Sequence, residues 1–418
     1  MRVEGTTKRI KIYKSFLYIC LCMSIVSLGS IWIWDVWNKV PSNIHVKAGV
    51  EQGLKFYVPA TATIYKNQKQ GQVNVDLNQE ITFYGEAEDT YTMQVDLFGF
   101  IPFKQSEVSV IQEKKVMPIG YPVGIYVKTD GVLVIDTGSF LSESGEKVSP
   151  AKDFLKPGDY IFRVNGDVIE NKNQLMEKIG ASGGKGLQLE VRREDEIYKM
   201  EMNPSKDKKG EYKLGIWVRD NAQGIGTLTF ADENGFFGAL GHGINDIDTT
   251  NLMEMKEGGL YKADIISITK GTKGSPGELT GVIAYSNRYK LGDIYENTQK
   301  GVYGMLEQEN IQLEDRAVSI ALKQEIQKGR AQILCTISNA PEFFEVEIVA
   351  IHQENDNVNR GLEIKVTDER LLETTGGIVQ GMSGSPIVQN GRIVGAVTHV
   401  LVNDPTRGYG IFIENMLE

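Results

Sequence analysis

Hydrophobic and polar positions divide the chain into one long apolar run and many short alternating segments. The run extends from Phe16 to Trp34, nineteen residues without a charged side chain, and at about 1.5 Å per residue it is long enough to cross a bilayer. Basic residues precede it, and three of the four Trp residues lie at or just after its end, an order typical of an uncleaved signal-anchor. We predict a basic cytoplasmic segment at 1–14 and a transmembrane helix at 15–35. A cleaved signal peptide is the alternative, although no small-residue cleavage site follows the run.

The remainder of the chain is typical of short β-strands separated by glycine and polar turns. Stretches such as LQLEVRRE alternate with a period of two, as half-buried strands do. Helical spacing is limited to NQLMEKI and to VSIALKQEIQKG, and the polar stretch NPSKDKKG indicates a linker. We predict a mainly β protein with a β-rich region at 36–110, a second domain at 111–203 and a third at 204–418. About ten short strands in the third domain indicate a sandwich or a pair of barrels.

Composition excludes several classes of protein. Of the 418 residues 41% are hydrophobic and 24% charged, with a net charge of −10, which argues against both disorder and nucleic-acid binding. Three cysteines, two of them inside the apolar run, make no disulfide framework and no zinc motif. We expect no metal, no cofactor and no nucleic-acid partner. The predicted orientation of the anchor places everything after residue 35 outside the cytoplasm.

The region 111–203 resembles a PDZ domain. The matching features are Lys-Pro-Gly-Asp at 156–159, Val-Asn-Gly at 164–166 and the short helix beginning near Asn173. In that family a peptide adds as a strand to the edge of the sheet. The resemblance implies a groove formed by Gly124, Ile125, Val127, Leu175 and Ile179. The alternative is a PDZ-shaped spacer that binds no peptide.

The strongest chemical signal is the hexapeptide Gly-Met-Ser-Gly-Ser-Pro at 381–386. A Gly-x-Ser-Gly turn exposes a hydroxyl beside backbone N–H groups, which is what acyl transfer requires of a nucleophile and an oxyanion hole. We predict Ser383 as the nucleophile and the N–H groups of Gly381 and Ser383 as the oxyanion hole. Ser385 is the alternative nucleophile, or else a residue that hydrogen-bonds within the turn.

A serine needs a neighbouring base and usually a carboxylate that orients that base. His242, flanked by glycines in Leu-Gly-His-Gly, is favoured over His399, which could equally be structural or line a specificity pocket. Asp368, fifteen residues before Ser383, is the candidate acid. Its competitors Asp246, Asp248 and Asp404 are each better explained as turn residues.

The order of GMSGSP, a hairpin and a glycine-rich last strand resembles trypsin-like serine peptidases, including the HtrA class. Together with the anchor, the PDZ-like region, GHG and VTDERLL, the C-terminal stretch GIVQGMSGSPIVQNGRIVGAVTHVLVNDPTRGYGIFIE resembles the sporulation stage IV B peptidase family of endospore-forming bacteria. The resemblance implies Ser383 as nucleophile, His242 as general base and Asp368 as orienting acid, with a double β-barrel implied only loosely.

The same resemblance implies a membrane-tethered serine endopeptidase of the forespore membrane. Such an enzyme cleaves itself and a membrane-bound inhibitory protein that restrains an intramembrane protease, and a late sigma factor then matures. Two other functions are open on the sequence: a catalytically silent, membrane-tethered PDZ adaptor, and a hydrolase of small esters or amides that would not need residues 111–203.

Overall fold

The computed structural model describes residues 2–66, 70–307, 317–353 and 357–418, without the side chains of residues 2–12 and 70. Most of the predicted basic segment 1–14 therefore lies outside the described side chains. The chain divides into two compact units, Met1–Glu113 and Lys114–Glu418.

The first unit begins with a single long helix. Its elements are α1 (Arg2–Lys39), β1 (Asn43–Lys47), β2 (Gln52–Lys55), β3 (Ala60–Lys66), β4 (Gln70–Asp76), β5 (Glu80–Phe83), β6 (Asp89–Leu97) and β7 (Ile101–Ile111). Within the described chain, the part of α1 from Tyr13 to Lys39 is the one helix long and apolar enough to cross a membrane. This helix indicates a single-pass membrane anchor.

The strands of the first unit form a five-stranded sheet in the order β1-β7-β6-β3-β4, with β2 and β5 paired separately. Strand β1 runs parallel to β7, and the other pairs of the five-stranded sheet are antiparallel. Val36, near the C-terminal end of α1, and Val40, directly after the helix, belong to the core under this sheet. The predicted β-rich region after the membrane helix is confirmed, although α1 extends to Lys39.

The second unit contains most of the strands. They are β8 (Lys115–Pro118), β9 (Pro122–Thr137), β10 (Phe140–Leu141), β11 (Lys147–Val148), β12 (Tyr160–Val164), β13 (Asp167–Val168), β14 (Leu187–Arg193), β15 (Glu196–Met202), β16 (Ser205–Lys206), β17 (Tyr212–Lys213), β18 (Ile216–Ala231), β19 (Phe236–Ala239), β20 (Met255–Thr269), β21 (Glu278–Ile283), β22 (Lys290–Thr298), β23 (Gly301–Leu306), β24 (Val318–Ser319), β25 (Gly329–Cys335), β26 (Glu342–Ile351), β27 (Leu362–Val366), β28 (Pro386–Gln389), β29 (Arg392–Leu401) and β30 (Asp404–Phe412). The helices are α2 (Lys172–Ala181), α3 (Glu369–Thr375) and α4 (Ile413–Leu417), with short 3₁₀ turns at Asn287–Tyr289, Lys323–Glu325 and Val358–Arg360.

Two six-stranded barrels form the body of this unit. In the first, the order β9-β20-β22-β23-β19-β18 closes on itself because residues 221–227 of β18 pair with residues 122–128 of β9. The second is closed in the order β25-β26-β27-β30-β29-β28. Each barrel encloses its own apolar core. The predicted trypsin-like, mainly β architecture is confirmed.

A PDZ-like lobe is inserted between the first two strands of the first barrel. Strand β9 continues beyond the barrel, and its second half pairs with β12 and with residues 216–219 of β18. The resulting sheet has the order β15-β14-β12-β9-β18, and α2 packs Leu175 and Ile179 into the core beneath it. Where β9 passes from the barrel into the PDZ-like lobe, Gly131 has a φ of +96°. A Cβ at this position would lie 2.9 Å from the carbonyl oxygen of Ile161.

This insertion differs from the boundaries predicted at 111–203 and 204–418. Residues 122–128 belong to the first barrel, whereas residues 216–219 belong to the PDZ-like sheet. The difference arises because β9 and β18 are each sixteen residues long and run through both lobes, so that no linker marks the division. The stretch VSIALKQEIQKG, which has helical spacing, forms strand β24 and a 3₁₀ turn instead.

Candidate active site

The predicted nucleophile turn lies between the two barrels. Gly384 has a φ of +97°, and a Cβ there would lie 2.1 Å from the carbonyl oxygen of Thr227 in the first barrel. Its N–H donates to the carbonyl of Val397 in the second barrel at 2.7 Å. Only glycine fits a position with this conformation and this close approach. The turn is therefore held from both sides.

The two serines of the turn have different surroundings. Ser383 is half-buried, and its hydroxyl donates to the carbonyl oxygen of Thr398 at 2.7 Å. Ser385 is fully buried, and its hydroxyl donates to the carbonyl oxygen of Met382, also at 2.7 Å. Ser385 thus makes the intra-turn hydrogen bond that the sequence allowed as the alternative to a nucleophilic role.

Thr227 orients the peptide groups around Ser383. Its N–H donates to the carbonyl of Ser383 and its hydroxyl donates to the carbonyl of Gly381, both at 2.9 Å. The N–H groups of Gly381 and Ser383 donate no hydrogen bond to any residue that the structure describes. Two backbone donors are therefore available beside the hydroxyl, the arrangement that an oxyanion requires.

His242 lies on the loop that follows β19. The loop turns through Leu240 and Gly241, both with a φ of +68°. It is fixed from the second barrel by Asn359, whose side-chain amide donates to the carbonyl of Gly241 at 2.6 Å. A Cβ on Gly241 would contact Thr398 and Ile411 of β29 and β30. The loop therefore brings the imidazole of the first barrel against the second.

The tautomer of His242 follows from its hydrogen bond. Nδ1 lies 2.8 Å from the carbonyl oxygen of Gly243, and a carbonyl oxygen only accepts, so Nδ1 carries the proton. In the neutral ring Nε2 then has the free lone pair that a general base needs. Burial lowers the pKa of His242, and the hydrogen bond to Gly243 opposes this effect only in part.

A second imidazole lies beside His242. The ring centroids of His242 and His399 are 4.9 Å apart, with 34° between their planes. The pKa of His399 is lowered to about 4, first by desolvation and then by the nearby charges that His242 and Arg360 can carry. Both rings are therefore neutral at pH 7, and the pair can hold one proton far more readily than two.

Ser383 and His242 line the same cleft, which has a volume of about 300 Å³. Gly381 also lines it, and the remaining walls come from both barrels: Ile125, Ala222, Gln223, Gly224, Ile225, Leu240, Gly243, Ile244, Asn245 and Gln380. The cleft thus brings together a hydroxyl, a neutral imidazole and two available N–H groups. These are the kinds of group that attack on an acyl carbon and stabilisation of the resulting oxyanion require.

Asp368 is not part of this cleft, which corrects the predicted triad. Its carboxylate caps α3 by accepting from the N–H of Arg370 at 3.0 Å, and it also accepts from the guanidinium of Arg370. Burial raises the pKa of Asp368, but the hydrogen bonds from Arg370 and from the Glu345 N–H outweigh it, and the net shift is downward.

The distance between Asp368 and the histidines follows from the strand register. His399 pairs with Tyr409, and Tyr409 pairs with Glu363 on β27. Two strand spacings of about 4.8 Å and five residues of about 3.3 Å each place Asp368 on the order of 15–20 Å from His399. The position of an acidic residue in the sequence could not reveal this separation. The competitors Asp246 and Asp404 hydrogen-bond within their own turns, as predicted.

The predicted peptide groove is also divided between two lobes. Ile125 and Val127 are buried in the core of the first barrel, whereas Leu175 and Ile179 belong to the core of the PDZ-like lobe. A Cβ on Gly124 would collide with the side chain of Ile283 on β21. These residues therefore do not form one groove.

A different groove lies between α2 and β18. It has a volume of about 840 Å³ and is lined by Leu175, Met176 and Ile179 of α2, by residues 210–218, and by Gly138, Ser139 and Phe140. Within the described chain, residues 216–219 pair with β9 on one side only. Leu214, Gly215 and Ile216 were not among the residues predicted for a groove, although an apolar-Gly-apolar triplet before a strand is a readable signal.

Comparison with known families agrees with the geometry of the cleft. The profile described as SpoIVB peptidase S55 matches residues 210–417. The chain belongs to this family. It is therefore a serine peptidase of sporulation, and the match includes His242, Ser383 and nearly all of the two barrels, but not the first half of β9.

Among solved structures, the PDZ domain of the SdrC-like protein from Listeria monocytogenes is similar to part of the chain. The two are 23% identical, the alignment covers 21% of this chain and 87% of that chain, and the TM-score is 0.18. Within the described residues, the peptidase has no group of three or more His, Cys, Asp or Glu side chains placed to hold a metal ion.

Proposed function

We propose that this peptidase is a membrane-anchored endopeptidase of sporulation signalling. It cleaves itself and a membrane-bound inhibitory protein that restrains an intramembrane protease, which then processes a late sigma factor. The catalytic part lies outside the cytoplasm, in the space bounded by the forespore membrane, with the N-terminus of α1 in the cytoplasm. Membership of the S55 family and the single apolar helix support this proposal.

The observation that carries the catalytic part is the cleft shared by Ser383 and His242. The Ser383 hydroxyl first rotates away from the Thr398 carbonyl, which cannot take its proton. Oγ then attacks the scissile carbonyl while Nε2 of His242 accepts the hydroxyl proton. The oxyanion accepts hydrogen bonds from the N–H groups of Gly381 and Ser383. His242 returns the proton to the leaving amine, and water hydrolyses the acyl-enzyme by the same route.

The Gly243 carbonyl replaces a carboxylate as the group that orients His242. It fixes the tautomer, as the acid of a triad does. It carries no full charge, so it stabilises the imidazolium of the transition state less than a carboxylate would. We therefore expect slow turnover, which suits an enzyme that makes a few specific cuts.

The groove between α2 and β18 is the proposed peptide-binding element. The free edge of residues 216–219 offers main-chain hydrogen bonds to an added strand, and Met176 and Ile179 offer apolar contacts. Just before this edge, the N–H groups of Leu214 and Gly215 donate no hydrogen bond to any described residue. They are suitable partners for a terminal carboxylate.

Fragment analysis tests this proposed function. The full chain and the Ser383→Ala variant are produced in membranes, and the N-termini of all fragments are sequenced. We expect fragments from the unaltered chain that the variant lacks, and cleavage of a co-reconstituted inhibitory protein by the unaltered chain alone. Identical fragments from both proteins would show that another protease makes them and would contradict self-cleavage.

A further inference from the structure

The turn between β6 and β7 exposes a compact apolar surface. We call residues 98–101 the hairpin tip. Phe98, Phe100 and Ile101 are 58%, 74% and 44% exposed, respectively. The N–H of Phe98 donates to the carbonyl of Pro59, which brings the exposed Tyr57 loop beside the tip. Large apolar side chains exposed together at the end of a hairpin are unfavourable in water and indicate an interaction surface.

The hairpin tip lies against the membrane helix. The rings of Phe98 and Trp32 are stacked, with centroids 5.8 Å apart and planes 8° apart. Further along the hairpin, the rings of Phe103 and Trp37 meet edge to face at 5.4 Å. Trp32 lies within the uncharged run that ends at Trp34. The tip therefore lies beside the membrane-spanning run. It is on the membrane side of the part of α1 that packs into the core.

The end of α1 and the hairpin are joined by hydrogen bonds. The ammonium of Lys104 on β7 donates to the carbonyl of Val40 at 2.5 Å and to that of Trp37 at 3.2 Å. It also lies 4.7 Å from the centre of the Trp37 ring. These bonds satisfy carbonyls at the C-terminal end of the helix, where the helix dipole favours a cation. A membrane position of α1 therefore fixes the position of the hairpin.

The depth of the tip follows from helix geometry. Trp32 precedes Trp37 by five residues, which at about 1.5 Å per residue is roughly 7.5 Å closer to the hydrocarbon. Aromatic side chains are favoured in this interfacial layer, where the ring is apolar and its surroundings are partly hydrated. Phe98, stacked on Trp32, lies in the same layer, and Phe100 is carried by the same turn.

We propose that the hairpin tip inserts into the bilayer interface beside α1 and forms a second membrane contact for the first unit. The occupant of this surface is the boundary between lipid headgroups and acyl chains. This inference rests on the proposed role of α1 as an anchor. Because the surface is aromatic and aliphatic, insertion does not require anionic lipid, and zwitterionic vesicles are sufficient.

Fluorescence of labelled full-length protein in phosphatidylcholine vesicles tests the insertion. An environment-sensitive probe is attached to a cysteine at Phe100→Cys in a Cys20→Ser, Cys22→Ser background, in which the remaining Cys335 is buried. The matched control is Ala87→Cys, on the exposed turn before β6. The nine residues of β6, at about 3.3 Å each, place it roughly 30 Å from the tip. A third variant, Leu28→Cys, reports on the anchor.

We expect the Phe100→Cys probe to shift to the blue and brighten about twofold or more in vesicles, as burial at the acyl boundary requires. Nitroxide lipids should quench it, and the Ala87→Cys probe should stay water-like. A water-like Phe100→Cys probe beside a quenched Leu28→Cys probe would overturn hairpin insertion and leave the anchor intact. If the Leu28→Cys probe is not quenched either, the anchor itself is contradicted, and the inference fails with it.

Discussion

The imidazole rings of His242 and His399 lie 4.9 Å apart, one from each β-barrel of the peptidase. Of these two candidate bases, His242 lines the cleft together with Ser383. His399 belongs to β29, where it pairs with Tyr409. The two rings therefore allow a direct test of which imidazole takes the serine proton.

Replacing each ring by phenylalanine separates the two histidines. We expect His242→Phe to lower the rate of acylation at Ser383 by about a thousandfold or more, because the hydroxyl loses its base. His399→Phe preserves a ring of similar size and should keep the rate within about tenfold of the unaltered enzyme. The measurement is the second-order rate of reaction with a serine-directed phosphonate. A larger loss in His399→Phe than in His242→Phe would reverse the assignment.

The pH dependence of this reaction reports the protonation of the base. Burial lowers the pKa of His242 below its ordinary value of 6.5, so the ring becomes neutral, and able to accept a proton, at a lower pH than an exposed histidine. Activity should therefore rise with pH through a midpoint below 6.5 and level off above it. Circular dichroism at each pH controls for unfolding. A midpoint above 7 would contradict a desolvated imidazole base.

Asp368→Asn distinguishes a helix cap from a catalytic acid. Asparagine caps a helix about as well as aspartate, so α3 should remain stable. Because Asp368 is remote from the cleft, we expect the acylation rate to stay within about tenfold. Loss of an orienting carboxylate would instead cost about ten-thousandfold. Asp368→Ala removes the cap and should lower the free energy of unfolding by about 0.5–2 kcal/mol. A ten-thousandfold loss in folded Asp368→Asn would restore the triad.

A charge in the groove of the PDZ-like lobe tests its part in substrate recognition. Met176 is 65% exposed on α2, so the Met176→Lys variant should fold normally. Its charge should weaken the binding of an apolar peptide in the groove. We expect self-cleavage to slow about tenfold and phosphonate labelling of Ser383 to stay unchanged. The matched control is Ile197→Lys on β15, an equally exposed apolar residue outside the groove. Equal effects of both variants would show that the groove holds no substrate.

Local sequence patterns were sufficient for the parts of the peptidase that depend on neighbouring residues. The charge-free run became α1, and the glycines around Ser383 have the positive φ angles that the turn needs. Alternating stretches became strands. In each case the physical cause acts within a few residues, so a pattern in the sequence reports it directly.

The predictions that the structure corrects concern the relative positions of residues that are far apart in the sequence. Asp368 follows a strand and precedes a helix, a position equally typical of an N-cap and of an orienting acid, and only the pairing of β27 with β30 separates it from the cleft. Likewise, Ile125 alternates as a groove strand would, but tertiary pairing with Leu260 of β20 buries it in a barrel. Strand partners are not encoded in the period of one strand.

Labelling of the intact, membrane-reconstituted peptidase by a fluorophosphonate, followed by peptide mass spectrometry, is the most direct test of Ser383 as the nucleophile. We expect a single adduct on the Ser383 hydroxyl, formed at a rate that depends on the His242 imidazole and is unaffected by Ser385→Ala. An adduct at another residue, or no reaction in a protein whose anchor and barrels are shown to be folded, would contradict catalysis by Ser383 and His242. The absence of any reaction would favour a catalytically silent adaptor that acts through its PDZ-like lobe.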